Sequence, residues 1–317
     1  LADSTRGIVG ARDLAAMKPG SILVNTSRAG LIDMAALPLA LQAGRPGHAA
    51  LDVFEHEPVV ADDPLLGLAR LTLAPHLAEL VYVAGAGRQL VGAVEYSDYP
   101  AAARQVPRVG DAFRVDLEAI AALRPDLILG WPSGNSQAVL DRLRRLGYRV
   151  VDLEPHTLDD IGRHIRLIGA AAGSAEIADR AAGDWDDGLA ALRGRYGKLA
   201  PVRVFYQIAP QPLVTATGSH FIGEAIRLCG GTNVFEKLAA LTPVISQEAV
   251  IAAAPEVIVA ADFEPGPASA ADASPLQMWR SWPGLPANSL DGLFVIDPDL
   301  LNVPGPRMVR GIAELCA

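Results

Sequence analysis

A chain of 317 residues, 50% of them hydrophobic and with a formal net charge of -9, is long enough to bury two or three packed units. Its acidic balance, with no basic stripe interleaved with aromatics, argues against a nucleic-acid surface. No apolar run reaches the roughly 20 residues that cross a bilayer. The chain opens Leu1-Ala2-Asp3 without a charged-then-apolar leader, so its start encodes no compartment.

In chain order, residues 1–69 read as one βαβ-like unit. It comprises an apolar run at 21–25, a helix from about Asp33 to Ala43, a turn rich in Gly and Pro, and a second apolar run at 49–54, then an acidic, Pro-containing loop. Residues 70–173 form the expected first lobe, with strands near 71–73, 90–94, 127–130 and 149–153 and helices near 77–84, 117–123 and 136–146. Residues 174–198 carry no Pro and place Ala, Leu, Arg and Asp at helical spacing, which predicts one long helix. A helical connector is stiffer than a Gly/Ser linker, so the units it joins should hinge only modestly. Residues 199–317 form the expected second lobe, opened by a strand at 203–208.

The two lobes share a repeat. Glu118-Ala-Ile-Ala-Ala-Leu-Arg-Pro-Asp-Leu-Ile-Leu129 recurs as Glu248-Ala-Val-Ile-Ala-Ala-Ala-Pro-Glu-Val-Ile-Val259, an offset of 130 residues. Each copy reads as a short helix, a Pro-acid punctuation and a strand, the unit of a parallel α/β sheet. Two such lobes facing one another make a cleft, where small molecules are usually held. Glu118 and Glu248 fall in the first turn of their helices, where the helix dipole favours a carboxylate. The two cysteines, Cys229 and Cys316, read either as buried free thiols or as one disulfide in an oxidising compartment. The six histidines, at 48, 56, 76, 156, 164 and 220, form no convincing ligand set, so no metal site is expected.

Several segments beyond residue 70 carry a family resemblance. Arg70-Leu-Thr-Leu-Ala-Pro-His-Leu-Ala-Glu-Leu80, Val91-Gly-Ala-Val-Glu-Tyr-Ser-Asp-Tyr-Pro100, Trp131-Pro-Ser-Gly-Asn135, Leu228-Cys-Gly-Gly-Thr-Asn-Val-Phe235 and Pro304-Gly-Pro-Arg307 resemble the vitamin B12-binding proteins that feed ABC importers. The resemblance implies an α/β, two-lobed periplasmic-binding-protein fold with a rigid connecting helix. It implies a monomer in the periplasm that clamps cobalamin, or a related corrinoid, between its lobes and delivers it to a membrane permease. The ligand contacts it implies are Tyr96, Trp131 and Asp299, with Phe113 close to a further aromatic position. Glu118 and Glu248 would dock onto permease arginines, and the family disulfide would fall on Cys229 and Cys316. The residue types suit the ligand, since a large, amide-fringed corrinoid calls for flat aromatic faces and a few fixed hydrogen-bonding groups. Tyr99 also falls at a loop position suited to the cleft rim. Thr242, Ala209 and Val303 depart from the family pattern, where relatives carry Trp, Trp and Arg. Siderophore or haem binding on the same fold is the nearest alternative, with His76 as a residue that could face the cleft.

Residues 1 to about 76 resemble something else. Thr5-Arg-Gly-Ile-Val-Gly10, Met17-Lys-Pro-Gly-Ser-Ile-Leu-Val-Asn-Thr-Ser-Arg28, Ala50-Leu-Asp-Val-Phe-Glu-His-Glu-Pro58 and Asp63-Pro-Leu-Leu66 resemble the late part of the NAD domain of D-2-hydroxyacid dehydrogenases. The resemblance implies a partial Rossmann-like βαβ fragment in which Arg28 would clamp a substrate carboxylate. Glu57 would tune His76 as acid-base catalyst, and Asp52 would lie near the nicotinamide. The chain carries no Gly-x-Gly-x-x-Gly turn to cradle a pyrophosphate, so no catalytic residue and no required cofactor is expected. NAD enters only under the alternative of a dehydrogenase fragment. Ala74-Pro-His76 belongs to both patterns, and one strand cannot finish a dehydrogenase site and also start a binding lobe.

Overall fold

The computed structural model describes residues 5–51 other than 20, 26 and 47, then residues 70–262 and 275–317. In the N-terminal unit, α1 (Ala11–Ala16), β1 (Ile22–Asn25), α2 (Leu37–Gln42) and β2 (His48–Leu51) follow in order. β1 and β2 pair in parallel, Ile22 opposite His48 and Asn25 opposite Leu51. Leu14, Ile32 and Leu37 form their small core. α2 starts later than the sequence suggests. The Asp33 carboxylate accepts the amides of Ala35 and Ala36, closing a turn of its own before the helix begins.

The strand that leads into Ala74-Pro-His76 goes with the binding lobe. β3 (Arg70–Thr72) lies between β4 (Leu90–Gly92) and β5 (Leu127–Gly130), and β6 (Val150–Asp152) completes an all-parallel sheet in the order β4-β3-β5-β6. Among the described residues β1 and β2 pair only with each other. On this sheet pack α3 (Pro75–Val83), α4 (Leu117–Leu123) and α5 (Gln137–Arg145). α6 (Leu158–Ala172) follows, a 15-residue helix that the sequence analysis does not anticipate. Its ends are nevertheless encoded. Thr157 and Asp160 cap its start reciprocally, and Gly173, at φ 72°, ends it in the left-handed region.

The connector is α7 (Ala175–Tyr196), 22 residues long and so about 33 Å at 1.5 Å per residue. It lies close against α6, because Gly169 has no side chain: a Cβ there would stand 2.1 Å from that of Ala178. The second sheet runs β11-β10-β7-β8, with β9 (Thr232–Asn233) also on β7. β7 (Arg203–Pro210), β10 (Val257–Ala261) and β11 (Leu293–Ile296) are parallel, while β8 (Leu213–Thr215) returns antiparallel. Around it lie α8 (Phe221–Leu228), α9 (Gln247–Ala253), α10 (Gln277–Arg280), α11 (Pro286–Ser289), α12 (Pro298–Leu301) and α13 (Met308–Cys316). Cys229, after α8, is disulfide-bonded to Cys316 at the end of α13.

Besides its own core in each lobe, one apolar cluster crosses the molecule. It runs from Leu77 and Val81 of α3 through Ile161 and Ile165 of α6 and Trp185 of α7 to Tyr206, Ile222 and Met308. Two lobes that share a close-packed core move against one another less freely than two lobes joined by a strand or loop.

Candidate functional site

The predicted contact residues sit just past the carboxyl ends of strands, the edge at which open α/β sheets hold ligands. Tyr96 and Tyr99 follow β4, Trp131 follows β5 directly, and Asp299 stands in α12 just after β11. Tyr96 is 80% and Phe113 74% exposed, and Tyr99 is exposed as well. Tyr96 adopts φ 64°, a conformation costly for a bulky residue and concentrated at functional sites.

The Phe113 loop is tightly built. Asp111 accepts the amides of Phe113 and Arg114 at 2.8 and 2.7 Å. Gly110, at φ 93°, leaves no room for a Cβ, which would meet the Arg114 carbonyl oxygen at 2.2 Å. Asn135 joins this loop to the others. Its buried amide donates to the Leu73 and Ala112 carbonyls at 2.7 and 2.9 Å, and its oxygen accepts the Trp131 amide at 2.7 Å. One side chain thus holds the end of β3, the Phe113 loop and the Trp131 turn together.

The lobes meet in a polar cluster that sequence reasoning missed. Arg307, just before α13, donates from Nε and Nη2 to the two carboxylate oxygens of Glu79 on α3, at 3.1 and 2.6 Å. Its Nη1 lies 3.5 Å from Asp299 Oδ2, and its guanidinium carbon stands 4.5 Å from the centre of the Tyr99 ring. The Glu79 side chain is 4% exposed and that of Arg307 18%. Burial pushes the Glu79 carboxyl pKa up, against the pull of Arg307. Burial draws the Arg307 pKa down, but Glu79 and Asp299 outweigh it and leave it raised. The signal available in the sequence was an acid, Glu79, inside the otherwise apolar helix 77–84. Its partner lies 228 positions away, beyond any local pattern.

His76 does not open into the cleft. It is 3% exposed, its ring stands edge-on to Trp131 with centroids 5.0 Å apart, and its Nε2 is buried without a hydrogen bond. Burial, helped by His164, lowers its pKa to about 3. Glu118 and Glu248 occupy matching places, in the first turns of α4 and α9, which precede the equivalent strands β5 and β10. Asp116 caps the first helix and Ser246 the second, and both helices end in a left-handed residue, Arg124 and Ala254, each at φ 46°. Of the departures, Thr242 is exposed, and Ala209 and Val303 are half-buried.

In the N-terminal unit Arg28 is exposed beside β1, and Asp52 and Glu57 lie outside the described residues. The histidine that would complete a dehydrogenase site packs against Trp131 of the first lobe.

Comparison with known proteins finds two families in the chain, whose matches overlap at residues 71–78. Residues 71–298 match the family model of periplasmic binding proteins, and residues 1–78 match that of the D-isomer specific 2-hydroxyacid dehydrogenase NAD binding domain. The vitamin B12-binding protein of Vibrio cholerae serotype O1 is 35% identical over 247 residues, 78% of this chain and 87% of that protein. That of Pectobacterium atrosepticum is 32% identical over 252 residues, 78% and 86% of the two chains. Among solved structures, the periplasmic vitamin B12 binding protein BtuF of Vibrio cholerae matches with a TM-score of 0.72, covering 78% of this chain and 94% of that one at 35% identity. A periplasmic heme-binding protein, RhuT from Roseiflexus sp. RS-1, matches with a TM-score of 0.68 at 23% identity over 78% and 96% of the two chains, a likeness of fold alone.

Proposed function

Because the chain belongs, over residues 71–298, to the periplasmic binding proteins and is related there to the vitamin B12-binding ones, we propose that it captures cobalamin or a related corrinoid between its lobes and delivers it to an ABC importer. The observation that carries this reading is the pairing of exposed aromatic faces on one lobe with fixed charge on the other. Exposed Tyr96, Tyr99 and Phe113 and half-buried Trp131 offer flat apolar surface, while Asp299 and Arg307 offer an acceptor and a donor set. A corrin ring stacks on the first kind of surface, and its amide fringe hydrogen-bonds to the second.

On this reading the units are a first lobe at 70–173, a connecting helix at 174–198 and a second lobe at 199–317, working as a monomer in the periplasm. Glu118 and Glu248 dock onto permease arginines, their carboxylates matched by forked guanidinium donors. Residues 1–69 form an appendage without catalytic activity, in which Arg28 and Glu57 are remnants and His76 serves the binding lobe. With Thr242, Ala209 and Val303 in place of larger groups, the second lobe contributes less stacking, at around 0.5–1.5 kcal/mol per aromatic pair.

Calorimetric titration with cyanocobalamin tests the proposal, with NADH and a 2-oxo acid as the control reaction. Saturable one-to-one binding in the micromolar range or tighter is expected, without NADH oxidation. A folded sample that binds no corrinoid, or one that turns over NADH, refutes it.

A further inference from the structure

Trp131 is held in a way that core packing alone does not require. The turn that carries it closes on itself, the amides of Gly134 and Asn135 donating to the Trp131 carbonyl at 3.1 and 2.7 Å. The indole folds back over this turn. A Cβ on Gly134 would stand 2.0 Å from Trp131 Cε3 and 2.1 Å from Cζ3, so the glycine is there to admit the ring. Glu154, just past the neighbouring strand β6, reaches across. Its Oε1 accepts the indole N–H at 3.2 Å and the Ser133 hydroxyl at 2.9 Å, and its Oε2 accepts the Ser133 amide at 2.7 Å. With the T-shaped contact from His76, the ring is held against its own turn, at its nitrogen and by a second ring, yet it remains only half-buried.

We infer that Glu154 is a positioning residue that locks the Trp131 indole as a preformed wall of the ligand site, and that Gly134 is the seat of that ring. The inference rests on the corrinoid reading of the cleft for its ligand. With its N–H committed to Glu154, Trp131 presents its π face and donates no hydrogen bond to the ligand, which selects a flat, apolar surface over a polar fringe. Freezing the ring before binding removes part of the ordering cost that binding would otherwise carry.

The test measures the ring and the ligand separately. The chain has four tryptophans, so the emission of Trp131 is taken as the difference between wild type and Trp131→Phe. Its time-resolved anisotropy should show added local motion in Glu154→Ala and a displaced ring in Gly134→Ala. Glu154→Gln keeps a carbonyl acceptor for the indole and should stay near wild type. Cyanocobalamin affinity should fall about tenfold in Glu154→Ala and in Gly134→Ala, roughly 1.4 kcal/mol, with Glu154→Gln largely rescued. Unchanged anisotropy in Glu154→Ala overturns the clamp. Increased ring motion with unchanged affinity overturns its role in binding. If the wild type itself binds no cyanocobalamin, the corrinoid reading falls, and the hold of Glu154 on the ring is still decided by the anisotropy.

Discussion

Removing Arg307 should destabilise the protein in a pH-dependent way. In Arg307→Ala the Glu79 carboxylate, whose side chain is 4% exposed, loses both of its guanidinium hydrogen bonds and keeps the charge of Asp299 nearby. Breaking a buried pair from one side costs about 3–5 kcal/mol, because the remaining charge is stranded. Burial already raises the Glu79 pKa with its partner present, and without the partner it rises further. A carboxyl whose folded pKa lies above its unfolded value contributes its stability below the unfolded pKa and loses it as pH rises through the folded pKa. The loss in the variant should therefore be about 3–5 kcal/mol at pH 7.5 and smaller at pH 5, where Glu79 more readily takes up a proton. The double variant Glu79→Gln, Arg307→Ala should recover most of the loss at pH 7.5. Urea unfolding of wild type and variants at both pH values gives the differences. A loss under about 1 kcal/mol at both, or a loss that does not change with pH, would refute the assignment of Glu79–Arg307 as a buried interlobe pair.

Other expectations follow from single features of the structure. Acid should weaken the fold through His76, whose pKa burial lowers to about 3 from an ordinary 6.5. The unfolded chain binds a proton there that the folded chain refuses, so this stability is complete above about pH 6.5 and is lost as pH falls towards 3. At pH 5 the loss is about 2 kcal/mol. His164 and His220, lowered to about 4 chiefly by burial, act in the same direction. Denaturation midpoints across pH 7.5 to 5 should show the decline, and His76→Asn should flatten it. Reducing the Cys229–Cys316 bond, which closes a separation of 87 positions, should cost on the order of 4 kcal/mol, read as a lowered denaturant midpoint in the presence of a reductant. Asn135→Ala leaves the Leu73 and Ala112 carbonyls and the Trp131 amide without their partner and should cost about 2–3 kcal/mol. Hydrogen exchange should rise first at residues 111–115 and 131–135.

Elements set by short-range signals are legible in the amino-acid sequence. The helix at 117–123 and the strand at 127–130 fall where the sequence puts them, and the connector agrees within two residues at either end. Each is specified by its own neighbours: an N-cap, an apolar run, a Pro-acid break, a stretch free of Pro. α6 is equally specified, by the Thr157–Asp160 box, by Leu158, Ile161, Ile165 and Ile168 on one face, and by Gly173. The expected first lobe nonetheless ends its named elements at the strand 149–153, so this helix is a feature that local signals encode and the sequence analysis leaves out.

What the amino-acid sequence determined by itself is therefore local: two α/β lobes with matching Pro-acid repeats, a stiff helix between them, and aromatics placed just past the first lobe's strands. The fate of Ala74-Pro-His76 needed the sheet. β3 pairs with β4 and β5, and in the lobe so formed His76 is buried against Trp131. The polar side of the cleft needed the tertiary structure too. The contacts of Arg307 with Glu79, Asp299 and Tyr99, and of Glu154 with Trp131, join residues from separate elements, up to 228 positions apart for Glu79 and Arg307. No periodicity records such a pairing, because its energy arises only once two separately folded surfaces exclude water from the groups between them.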